Sequence, residues 1–122
     1  MTGFDKFLWE FHLLQQKLLC KSLGVEHVPT DRNQIIGLAD DHTSILINGL
    51  GHPVEHNTSG WYIWSGEYSL ADDFFKPVHA SHLLTIKPGL IRYLGLPVGY
   101  RFLIDDKGYE DIWFDDSLLD VS

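Results

Sequence analysis

Cysteine is almost missing from this chain. Cys20 stands alone among 122 residues, so no internal disulfide can form and a reducing compartment is expected. No run reaches the ~20 apolar residues that a membrane-spanning helix needs. The opening residues, MTGFDKFLWEFH, lack the basic start and apolar block of a secretory signal. Together these absences point to a cytoplasmic protein with no membrane partner. Basic residues are also scarce, 9 against 17 acidic ones, for a formal charge of −8. Nucleic-acid binding draws on Lys and Arg to neutralise phosphates, so DNA and RNA are not expected partners. A field of this sign would steer a basic protein toward the surface, or serves solubility alone, the simpler reading of the charge by itself.

Recognisable catalytic patterns are lacking too. There is no G-x-S-x-G elbow, no G-x-x-x-x-G-K phosphate loop and no G-x-G-x-x-G turn. Paired acids occur at Asp40-Asp41, Asp72-Asp73, Asp105-Asp106 and Asp115-Asp116. Neighbours on a strand point to opposite faces and neighbours in turns are usually solvated, so none of these pairs demonstrates the converging carboxylates of a glycosidase. Seven histidines raise the question of a metal. His52-Pro53-Val54-Glu55-His56 spells H-x-x-E-H, but its Pro and Gly neighbours make it a loop, whereas that chemistry needs both histidines one helical turn apart. His79 and His82 can share a helix face and are weak metal candidates, with Asp72 or Asp73 as a conceivable third ligand. Two exposed histidines near a helix start is the simpler reading. No catalytic residue and no cofactor is expected.

What the chain does have is 44% hydrophobic and 21% charged residues, enough for a core within a single domain, 1–122. Residues 2–23 read as a helix, opened by Thr2 and Asp5 in a capping-box arrangement and closed by Gly24. Phe4, Phe7, Leu8, Phe11, Leu14 and Leu18 recur every three or four residues, the stripe expected to face the core. Trp9, Leu13 and Leu19 widen the apolar surface, through packing on more than one side or through a homodimer contact. The segment 44–48 reads as a strand ending in an Asn48-Gly49 turn.

The densest feature is GWYIWSGE, residues 60–67. Aromatic and β-branched residues make WYIW a strand with both faces covered, so packing is preferred over sugar stacking. A loop through SLADDFFKPV, short helices at 79–86 and 88–96, and a hairpin of YRFLI and YEDIWF around Asp105–Gly108 complete the reading. Arg101 is expected to pair across that hairpin with Glu110 or Asp111. The fold class is α+β, a small antiparallel sheet packed by a long N-terminal helix and short helices.

The runs SGWYIWSGE, DDFFKPVHASHL, PGLIRYLGLPVGYRFLID and GYEDIWFDDSLL resemble a bacterial family of immunity-protein-thirty-three-like domains over about residues 58–119. The resemblance implies a non-enzymatic role, in which such a protein binds a cognate toxin, often basic, and occludes it. The family motif falls on Ser59, Gly60, Trp61, Ser65, Gly66 and Glu67. The two glycines are expected to fix turns and Trp61 to pack. Other members often carry two acids after the second glycine, whereas Tyr68 follows Glu67 here. Glu67, Asp72 and Asp73 are the expected partner-facing acids. The alternatives are a structural or regulatory homodimer formed through the N-terminal helix, and a small-molecule or metal-binding protein.

Overall fold

A computed structural model describes residues 3–42, 45–54 and 58–119. The chain falls into two compact units, Met1–Gln34 with His79–Pro97, and Ile35–Val78 with Val98–Ser122. The first holds the long helix and the short helices between Ala80 and Gly95; the second holds the sheet and a 3₁₀ turn, Asp116–Leu119.

In the first unit, helix α1 (Gly3–Leu23) lies against a 3₁₀ segment, Pro88–Gly95. Pro88 opens that segment at its first turn, where its missing N–H costs nothing. A tight 3₁₀ segment leaves carbonyls unsatisfied, and side chains elsewhere in the unit answer them. Gln16 Nε2 donates to the Ile91 carbonyl at 3.0 Å, Cys20 Sγ to that of Gly95 at 3.2 Å and Thr30 Oγ1 to that of Leu94 at 2.6 Å. The Val28 N–H also donates to the Gly95 carbonyl.

These bonds decide which face of α1 is buried. Trp9, Gln16, Leu19 and Cys20 are inside, whereas Phe7, Phe11, Leu14 and Leu18 are half or more exposed. The stripe expected in the core is therefore the outer one. An amphipathic count ranks faces by apolar content alone, and here a face carrying a glutamine is buried because that glutamine satisfies a backbone carbonyl. The Thr2–Asp5 cap lies outside the described side chains.

The second unit is a six-stranded sheet. Its strands are β1 (Ile35–Ala39), β2 (Ile47–Gly51), β3 (Thr58–Ser65), β4 (Phe75–His79), β5 (Tyr100–Ile104) and β6 (Glu110–Phe114), in the order β4-β1-β3-β2-β5-β6. β1 runs parallel to β3, while β2–β3, β2–β5 and β5–β6 are antiparallel. The aromatic segment is thus an inner strand with both faces largely buried. On one face Trp64, Leu50, Ala39 and Leu118 form a cluster with Tyr62, Phe74 and Phe75 against it.

Two expectations change at this level. Asn48 and Gly49 do not turn the chain; they lie inside β2, opposite Trp64 and Ile63. Gly49 is there because the Phe102 ring from β5 occupies the space of a Cβ. SLADDFFKPV also yields a strand, β4, from Phe75 onward. Long helix, mainly antiparallel sheet and short helices make the protein α+β. Among the described residues no helix is long and apolar enough to cross a membrane.

Candidate functional site

The Ser-Gly pairs at the two ends of β3 are clasps. At the first, Ser59 Oγ donates to the Ile35 carbonyl at 3.3 Å and accepts from the Trp61 N–H at 3.2 Å. Gly60 has φ +83°, and its carbonyl accepts from the His52 N–H at 2.8 Å. A Cβ on Gly60 would collide with the His52 carbonyl oxygen, so only glycine suits the backbone and the space together. Between Ile35 and Gly37 on β1, β3 advances from Thr58 to Tyr62, a bulge that includes this pair. At the second clasp, the buried Ser65 donates through Oγ to the Asp41 carboxylate and through N–H to the Asp41 carbonyl. Gly66, φ +71°, leaves room for that carboxylate. Trp61 is buried, with its ring 5.7 Å from that of Phe102. Ser59, Gly60, Trp61, Ser65 and Gly66 thus take part in the hydrogen bonding and packing of β3 and its ends.

Beyond the second clasp the chain comes to the surface. Every residue from 66 to 73 is exposed, including Glu67, Asp72 and Asp73. The loop has internal order: the Phe74 N–H donates to the Ala71 carbonyl at 3.0 Å, and the Ala71 N–H to Ser69 Oγ at 3.1 Å. Tyr68 pins it to the sheet, its ring 5.2 Å from Trp64 and 5.5 Å from Phe74. Leu70 at the tip is 89% exposed. Asp73 stands 4.0 Å from Lys76, an exposed pair that adds little. The three expected acids thus share one loop with two exposed apolar side chains, Tyr68 and Leu70. Acid identity marked the loop in the sequence. Leu70 carried no such signal, because only the fold shows a lone leucine to be uncovered.

Other candidates resolve differently. His79 ends β4, His82 ends a 3₁₀ turn (Ala80–His82), and both are exposed. Among the described residues no three His, Cys, Asp or Glu side chains gather where they could hold a metal. His52 turns its ring toward Tyr62, 5.5 Å away, while Glu55 and His56 lie outside the described residues. Arg101 pairs with neither Glu110 nor Asp111: register places it opposite Trp113, over whose ring it sits at 5.4 Å, and its guanidinium bonds Asp115 at 3.1 Å. Asp115 also accepts from Ser117 Oγ at 2.6 Å. The Ser117 hydroxyl first, then Arg101, holds the Asp115 carboxyl below the usual carboxylate value. A hollow of about 170 Å³ lies beside the bulge, among Ile35, Gly37, Thr58, Tyr62, Phe75 and Lys76. Pockets for drug-sized ligands run to about 300–1,000 Å³, so this hollow is smaller than those.

No curated protein and no solved structure shows significant similarity to this chain. The profile of the Imm33-like domain matches residues 15–115, beginning within α1 and taking in 25–43, well beyond the stretch that carries the resemblance in the sequence. The chain belongs to the Imm33-like domain family.

Proposed function

We propose that the protein is an immunity-like inhibitor that binds a basic protein toxin and blocks it by occlusion, without catalysis of its own. The observation that carries this reading is the loop 66–74. It sets Glu67, Asp72 and Asp73 around the exposed Tyr68 and Leu70 on a support of packed aromatic rings. Protein interfaces draw their binding energy from a few apolar and aromatic anchors held on rigid elements, while surrounding charge sets orientation and encounter rate. Leu70 is the anchor, Tyr68 its support, and the three acids the complement to a basic surface. Family membership supports a protein partner of the toxin kind, and the charge of −8 supports one of opposite sign.

The test is affinity capture from lysate of the native host, followed by identification of the bound protein and assay of its toxicity. Wild type should retain one stoichiometric partner and suppress its growth arrest on co-expression. Leu70→Asp and the triple variant Glu67→Lys, Asp72→Lys, Asp73→Lys should lose both effects while circular dichroism stays unchanged. A partner held equally by wild type and variants would overturn the choice of loop. A bound partner with no toxicity would overturn the inhibitor role.

A further inference from the structure

The outer face of α1 carries four large apolar side chains that are only partly covered. Phe7 is 67% exposed, and Phe11, Leu14 and Leu18 are 50–51% exposed. Their spacing of four, three and four residues sets them in one line along the helix, the pattern of a two-helix seam. Together they present roughly 350 Å² of contiguous apolar surface, the size of the largest patch on a typical monomer, which is often functional. Two exposed charges flank the line on one side seven residues apart, Glu10 and Lys17. The other flank holds Leu8, Gln15 and Ser22 and no charge.

We infer that this face binds a second copy of the same chain, with the two α1 helices antiparallel about a two-fold axis. In that arrangement Phe11 packs on Leu14 of the second copy and Phe7 on its Leu18, so every member of the line meets another. The charged flanks then face each other: Glu10 lies beside Lys17 of the second copy, and the axis repeats the pair. A parallel pairing would set Glu10 against Gln15 and Lys17 against Ser22, leaving both charges without complement. The charge pattern thus selects both the occupant and the direction. It also corrects the homodimer surface expected from sequence, since Trp9 is buried within its own chain.

With flanking side chains the two copies bury on the order of 1,000 Å² in total, the lower edge of specific interfaces. A dimer of moderate strength follows, with a midpoint in the range of about 10–100 μM. This inference rests on other residues than the loop 66–74 and stands or falls separately from the inhibitor reading.

Sedimentation equilibrium of the full chain, from about 1 μM to about 1 mM, tests it. Wild type should pass from monomer to dimer within that range, and Phe11→Glu should remain monomeric. Glu10→Lys and Lys17→Glu should each weaken the dimer about tenfold, because two attractive contacts become repulsive. The double variant Glu10→Lys, Lys17→Glu should recover most of the loss. All three charge changes are at exposed positions, and circular dichroism monitors their folding. A monomer throughout the range would overturn the proposal. So would a dimer indifferent to both single changes, or a double variant no better than either.

Discussion

Gly60 shows how much rests on a single atom. Its positive φ and the His52 carbonyl beside it leave no room for a Cβ, so Gly60→Ala should destabilise the protein by about 2–4 kcal/mol. Urea unfolding measures this, and a loss under about 1 kcal/mol would mean that the bulge relaxes. A second prediction concerns His27, whose Nε2–H donates to Gln16 Oε1 at 3.0 Å. Burial first, then the nearby Lys17 charge, lowers its pKa below the ordinary value of 6.5. The unfolded chain therefore takes up a proton near pH 6.5, where folded His27 does not. Stability must fall as pH drops from about 6.5 toward the folded pKa. His12, also lowered by burial, acts in the same direction. His27→Gln should remove part of that fall, and an imidazole titration of His27 by NMR at or above the ordinary 6.5 would refute the account. The special backbone at Gly60 was readable in sequence as a glycine needing a reason. Its neighbour His52 was not, because the pairing comes from the bulge in β3.

At the scale of elements, the two edges of the sheet are guarded by chemistry. β4, FKPVH, carries Lys76 and Pro77; β6, EDIWF, carries exposed Glu110 and Asp111. Proline removes a ladder donor, and charges make an added strand costly. Lys76→Val with Pro77→Val should therefore give concentration-dependent aggregation detected by light scattering, while each β6 acid left in place keeps the other edge closed. Unchanged solubility of that variant would show that the edge is protected otherwise. The elements themselves were largely legible: the helix over 2–23 appears as Gly3–Leu23, the aromatic strand as Thr58–Ser65, and the final hairpin with its Gly108 turn as read. Where reading failed, a local rule met a long-range neighbour. Asn48-Gly49 has turn chemistry, yet the Phe102 ring over Gly49 and pairing on both sides hold it in a strand. The helix stripe obeys the apolar count, yet hydrogen bonds to the 3₁₀ segment at Pro88–Gly95 select the opposite face.

For the molecule as a whole, the charge of −8 makes a prediction about rate rather than affinity. Association with a basic partner should slow about tenfold or more between low and physiological salt, with dissociation changing far less. Stopped-flow association across ionic strength checks it, and a salt-independent on-rate would remove steering from the account. The excess of acidic over basic side chains behind this prediction is a matter of composition and needs no coordinates. The sequence by itself also determined the class of the protein: periodicity marks helix and strand locally, and the Ser-Gly-Trp and Leu-Pro-Val-Gly runs carry the family. Only the tertiary structure decided which apolar side chains are covered. Burial depends on contacts between residues far apart in the chain, such as Gln16 with Ile91, Gly49 with Phe102 and Ser65 with Asp41. For that reason Leu70 reads in the sequence as an ordinary apolar residue and the line from Phe7 to Leu18 as a core stripe, whereas in the structure they are exposed.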